Sequence, residues 1–186
     1  MNIRALCLVA VLVPQFVCAA EVSVPRGHGP EISGLFQRLV RTADPGEAAT
    51  IQTEIQELWS QSPSDTANLL YARGLEARAN NGALALELLT AVTELQPDFA
   101  DAWNALGRVN FALGAPETAV LDLERALTLE PRHFDAMLAL AAIFEFKGNR
   151  RAMLDELRRA YRVNPHIPGI AAKIRALALE VEGRRI

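Results

Sequence analysis

The chain has 186 residues, a formal net charge of −3, two Cys, three His, and a 51% hydrophobic composition that is only 6% aromatic. That length is enough to bury the core of one domain or one short repeat array. Both cysteines, Cys7 and Cys18, stand near the start, which excludes a disulfide framework, a cysteine-ligated metal or a cysteine nucleophile from the rest of the chain; the near-neutral charge argues against a dedicated nucleic-acid binder, which would show a strongly basic domain.

Arg4 precedes the apolar run Ala5–Val13, Pro14 breaks it, and Phe16-Val-Cys-Ala-Ala20 ends in small residues before Glu21. A basic end, a short apolar stretch and a small-x-small site predict a secretory signal peptide over residues 1–20, cut after Ala20. The stretch from Ala5 to Ala20 is shorter than the ~20 residues that span a bilayer. The expectation is therefore a periplasmic protein without an integral membrane segment after cleavage. Residues 21–30, EVSVPRGHGP, read as a flexible leader in which His28 is solvated.

Residues 31–62 read as a helix pair. Leu35 and Leu39 mark the apolar side of its first helix, and Ile51, Ile55, Leu58 and Trp59 that of its second. Asp44-Pro45 between them is a cap followed by a first-turn proline. The pair is expected to be a degenerate repeat or a cap.

Over residues 63–165 the chain is periodic. Pro97, Pro131 and Pro165 stand 34 residues apart, each after a similar segment: LLTAVTELQP, LERALTLEP and LRRAYRVNP. Each segment joins an apolar helical stripe to a stop, because proline disfavours helix at the residue before it. From Asp101, the residues Trp103, Leu106, Val109 or Asn110, and Leu113 recur at spacings of three and four; Gly114 fits a helix end and Pro116 a first turn. Each period is thus a helix, a tight turn and a second helix. After Pro165, the stripe Ile170, Ile174, Leu177 and Val181 predicts a capping helix and tail over residues 166–186.

Trp103, Leu106-Gly107, Ala119, Ala126 and Pro131 resemble the signature of the tetratricopeptide repeat. The next period keeps Phe144, Gly148, Ala160 and Pro165, with Met137 for the tryptophan and Ala141 for the glycine. The preceding one keeps Ala85, Leu89 and Pro97, with Leu70 and Gly74 displaced by one residue and Asn81-Gly82 as its turn. Asn110 stands where the family has tyrosine, and Leu123 where it has an aromatic residue. The resemblance covers three repeats from about Asp65 to Pro165. It implies an all-α fold, an α-solenoid of antiparallel helix pairs. The whole chain is also similar to small exported tetratricopeptide-repeat proteins of alphaproteobacterial type.

No GxxxxGK, strand-then-GxGxxG, HExxH or GxSxG motif is present. His133 and His166 recur by repeat position and lack the further partners that a metal site needs. Asp155-Glu156 are adjacent on a helix and point in different directions. The expectation is a non-enzymatic protein without cofactor or metal, and without a nucleic-acid partner.

In such arrays the first helix of each repeat lines a concave groove, so the resemblance implies a peptide- or helix-binding surface. Its stripe holds Asn68, Tyr71, Leu75 and Arg78, then Asp101, Asn104, Arg108 and Phe111, then Asp135, Leu138, Ala142 and Glu145. Amide and guanidinium groups would bond a peptide backbone, and the rings of Tyr71 and Phe111 would offer pockets. Asp101, Ala105, Asp135 and Ala139 stand where a carboxylate-binding array would want basic or amide groups. Charge is also uneven. Residues 21–130 carry 7 basic and 16 acidic side chains, whereas residues 131–186 carry 11 basic and 6 acidic ones. The alternative expectation is therefore a homo-oligomeric envelope component whose acidic and basic ends meet.

Overall fold

The computed structural model describes residues 29–183. The signal peptide expected at residues 1–20 lies outside the described residues, as does the expected leader up to residue 28. The helices are α1 (Gly29–Arg41), α2 (Pro45–Trp59), α3 (Asp65–Ala77), α4 (Gly82–Leu95), α5 (Ala100–Ala112), α6 (Pro116–Leu129), α7 (Phe134–Phe146), α8 (Arg150–Val163) and α9 (Ile170–Glu182). Every regular element among the described residues is a helix, and α1 begins inside the span read as leader.

Local chemistry sets the boundaries. Asp44 caps α2 by accepting from the backbone N–H groups of Gly46 and Glu47, and Ser64, Asn81 and Asn149 cap α3, α4 and α8 in the same way. Gln96, Glu130 and Asn164, each directly before a repeat proline, leave helical geometry with φ of −133°, −132° and −137°. Gly114 and Gly148 end the tight turns after α5 and α7 with φ of +83° and +69°.

The hairpins α3–α4, α5–α6 and α7–α8 stack in chain order, α4 on α5 and α6 on α7, and α9 packs on α8 at the end. Gly107 allows the close approach within a hairpin: a Cβ there would stand 2.8 Å from Leu123 Cγ and 3.0 Å from the Ala119 carbonyl oxygen. Trp103 joins neighbouring hairpins, its indole N–H donating to the Pro97 carbonyl at 3.1 Å. One apolar cluster links α3, α4 and α5, and a second runs from α6 through α9.

The pair α1–α2 does not stack on α3. Ile32, Leu35, Phe36 and Leu39 of α1 meet Ala48, Ile51, Ile55 and Trp59 of α2 in a third cluster, joined from the rest of the chain by Phe134, Val163 and Ile167. The pair therefore lies across the edge of the third hairpin, where α7 begins and α8 ends. Trp59 stacks on His133 with centroids 4.1 Å apart, and the Arg132 guanidinium lies 4.5 Å over the Phe36 ring. The outward face of α3 sets Arg73 and Glu76 among its leucines, whereas the start of α7 offers the α2 stripe the rings of His133 and Phe134. The linker of residues 60–64 carries the chain back to α3.

Candidate binding groove

The first helices of the hairpins, α3, α5 and α7, carry the residues that the sequence assigns to a groove. The structure divides those residues into a closed end and an open end.

At the closed end most of the polar groups are occupied within the chain. Asn68 holds the 60–64 linker: its Oδ1 accepts from the Ser62 N–H at 2.8 Å, and its Nδ2 donates to the Ser62 carbonyl at 2.9 Å. Tyr71 is buried, with its ring 5.0 Å from that of Phe99, and its hydroxyl donates to Asp101 Oδ2 at 2.5 Å. The Asp101 Oδ1 accepts from Asn104 Nδ2 at 3.0 Å and from His133 Nε2 at 3.1 Å. His133 is fully buried and caps α7, its Nδ1 accepting from the Ala136 N–H; this leaves Nε2 as the nitrogen that donates to Asp101. Asp135 accepts from Gln56 of α2 at 3.1 Å.

Electrostatics follow from this network. Burial pushes the Asp101 carboxyl up, but hydrogen bonds from His133, Tyr71 and Asn104 outweigh it and hold the group below the usual carboxylate range. Burial, and then the neighbouring Asp101 carboxylate, push the Tyr71 phenol far above its ordinary range, so it stays a donor. The closed end ties α3, α5 and α7 together through Asp101, while the buried Asn104 Oδ1 has no hydrogen-bond partner among the described residues.

At the open end, toward the C-termini of α5 and α7, a cavity of about 300 Å³ is lined by Gly107, Arg108, Phe111, Leu123, Leu138 and Ala142, with two further α7 residues. Phe111 is half-buried and meets Phe146 edge-on, with centroids 5.6 Å apart. Phe146 itself is 71% exposed. Arg108 and Arg78 are exposed and pair with no carboxylate among the described residues. Glu145 is occupied by Lys173 of α9 at 3.0 Å. Leu75 packs into the cluster of α3, α4 and α5.

The structure thus brings Arg108, Phe111, Leu138 and Ala142 together at one cavity, and sets Tyr71, Asp101, Asn104 and Asp135 in the internal network. Three participants escape the sequence reading. Phe146 follows the stripe residue Ala142 by four positions, where the chosen 3-4-3 spacing selects Glu145. Gln56 carries no local signal, because its role depends on where α1–α2 docks, and His133 acts through a bond to Asp101 thirty-two residues away. Among the described residues no group of three or more His, Cys, Asp or Glu side chains gathers to hold a metal ion, and no helix is long and apolar enough to cross a membrane.

Comparison with known proteins places this geometry. A family model described as tetratricopeptide repeat matches residues 100–133, the span of α5 and α6. The chain is 34% identical over 154 residues to a TPR repeat-containing protein of Rhizobium etli, covering 81% of this chain and 74% of that relative. Among solved structures, the first TPR of Spaghetti (RPAP3) bound to the HSP90 peptide SRMEEVD aligns with a TM-score of 0.59 at 15% identity, over 64% of this chain and 95% of that one. A MamA protein aligns with a TM-score of 0.58 at 17% identity, over 83% of this chain and 82% of the other. The chain belongs to the tetratricopeptide-repeat family.

Proposed function

We propose that this chain is a non-enzymatic adaptor of a bacterial envelope, exported through its N-terminal signal and cut after Ala20, which captures a peptide or partner helix at the open end of its concave face. The observation that carries the reading is the cavity at Phe111. It combines an apolar hollow and an unpaired guanidinium at Arg108, and the exposed ring of Phe146 stands against Phe111 beside it. Such a site fits an apolar anchor side chain with a carboxylate close by, since a buried anchor supplies affinity and the ion pair supplies orientation. The Spaghetti array, which shares the fold alone, is bound to a peptide that contains acidic residues.

The test is selection from a displayed library of random ten-residue peptides against residues 21–186, followed by titration of the selected peptides. Winners should combine an aromatic or aliphatic residue with Asp or Glu. Binding should fall at least about tenfold with Arg108→Glu and with Phe146→Ala, because each removes a contact of more than about 1 kcal/mol. Peptides that bind both variants as tightly as the wild type would refute the assignment. Mass spectrometry of the protein recovered from a periplasmic extract, beginning at Glu21, checks the export step.

A further inference from the structure

The α3–α4 end of the array carries a face that no described part of the chain covers. Gly74 and Gly107 mark the same repeat position: a Cβ at either would stand within 3 Å of a leucine on the partner helix, Leu89 and Leu123 respectively. Counted from these glycines, Leu69, Arg73 and Glu76 of α3 correspond to Ala102, Leu106 and Val109 of α5. The three α5 residues are buried in the cluster shared with α3 and α4. On α3 the same positions face outward, because α1–α2, which chain order brings next, is docked against the third hairpin. Leu69 is 58% exposed and Leu84 41%, and together with Leu70, Arg73, Glu76 and Leu88 they line a shallow cavity of about 650 Å³.

The charges on this face are informative. Some exposed ions elsewhere are paired, Arg150 with Glu180, Arg158 with Glu182 and Lys147 with Glu117, and others, Arg78 and Arg108 among them, are not. Arg73 and Glu76, three residues apart, pair neither with each other nor with another described residue. A face with one cation, one anion and several leucines is complementary to itself. A twofold axis passing between Arg73 and Glu76 sets each against the other in a second copy, twice over, and brings leucine against leucine.

We propose that this face is a twofold contact between two copies of the chain. The helices α3 and α4, of 13 and 14 residues, are about 20 Å long and lie about 10 Å apart, so the face measures on the order of 400 Å² in projection. Two such faces make a small interface, of the class that forms reversible dimers. Its lining shares no residue with the cavity at Phe111, so dimer formation is separable from peptide capture.

Sedimentation equilibrium of residues 21–186, from about 1 μM to about 1 mM, tests the proposal. The wild-type mass should climb from monomer toward dimer, and Leu69→Glu should stay monomeric. Arg73→Glu and Glu76→Arg should each weaken association about tenfold, since each turns two ion pairs into like-charge contacts. The double variant R73E/E76R should regain wild-type affinity, because both contacts re-form with their signs exchanged. These positions are exposed, so helical circular dichroism should not change. A wild type that stays monomeric throughout, a dimer that survives Leu69→Glu, or a double reversal no tighter than the singles would each overturn the proposal.

Discussion

Replacing Trp59 tests how the N-terminal helix pair is held. The side chain is 3% exposed and stacks on His133, with Phe134 and Phe36 tilted against it at 5.1 and 5.9 Å. Truncating a buried aromatic residue of this kind costs about 3–5 kcal/mol. The indole Nε1 is buried without an acceptor among the described residues, so removing it offsets about 1 kcal/mol of that loss. Trp59→Ala should therefore weaken the docking of α1–α2 by about 2–4 kcal/mol, a roughly 30- to 1000-fold rise in its opening equilibrium. Trp59→Phe keeps a ring in the stack and discards the unpaired N–H, so it should cost about 1 kcal/mol or less. Hydrogen exchange followed by mass spectrometry separates the cases. Amides of α1 and α2 should exchange faster by that factor in Trp59→Ala, while those of α5 to α8 keep their protection. The reasoning is wrong if all helices accelerate together, which would make the pair part of one cooperative unit, or if α1 and α2 keep wild-type protection.

Other consequences are as direct. Gly107→Ala brings a methyl to 2.8 Å from Leu123 Cγ and 3.0 Å from a backbone oxygen, and should lose about 1–3 kcal/mol in urea unfolding despite the better helix former. Gly34→Ala enters open space on α1 and should gain up to about 1 kcal/mol in the same assay. Asp101 titrates below its usual range in the folded chain; its contribution to stability is present above the unfolded value near ~3.9 and lost as pH falls through the lower folded value. Asp101→Asn should thus destabilise the protein at pH 7 and flatten the acid limb of a plot of urea midpoint against pH, and an unchanged limb would exclude that origin. Leu123→Ala, fully buried, should cost about 2–5 kcal/mol in thermal or urea unfolding, whereas Phe146→Ala, mostly exposed, should stay within about 0.5 kcal/mol.

The repeat was legible because its signals are local. A proline every 34 residues, a glycine that admits a neighbouring helix and a 3–4 apolar stripe each act within one hairpin or its next neighbour. One departure from the motif is explained only by the structure: Asn110, standing for a tyrosine, is buried and donates to Asp122 at 2.7 Å, a polar pair twelve residues apart. The placement of α1–α2 was not legible. Its stripe of Ile51, Ile55 and Trp59 says only that one side is buried, and any apolar surface within reach of the linker satisfies that pattern. What decides between surfaces is the chemistry of the acceptors. His133 and Phe134 at the start of α7 offer rings that pack against Trp59, whereas α3 offers leucines interrupted by Arg73 and Glu76.

The same limit governs the groove. Spacing places Asp101, Asp135 and Glu145 on the concave stripe, and together with the acidic balance of residues 21–130 this suggests an anionic surface. Each of these carboxylates is taken by a partner remote in sequence: Asp101 by Tyr71 and His133, Asp135 by Gln56, and Glu145 by Lys173. Arg78 and Arg108 have no carboxylate partner among the described residues. The charge available to a ligand at the open end is therefore positive, although the helices that carry it belong to the acidic part of the chain. Formal charge summed along a sequence counts every ion equally, while a ligand meets only those the fold leaves unpaired. A partner selected by this surface should accordingly be acidic beside its apolar anchor, and Arg108→Glu should reverse that preference, not merely weaken it.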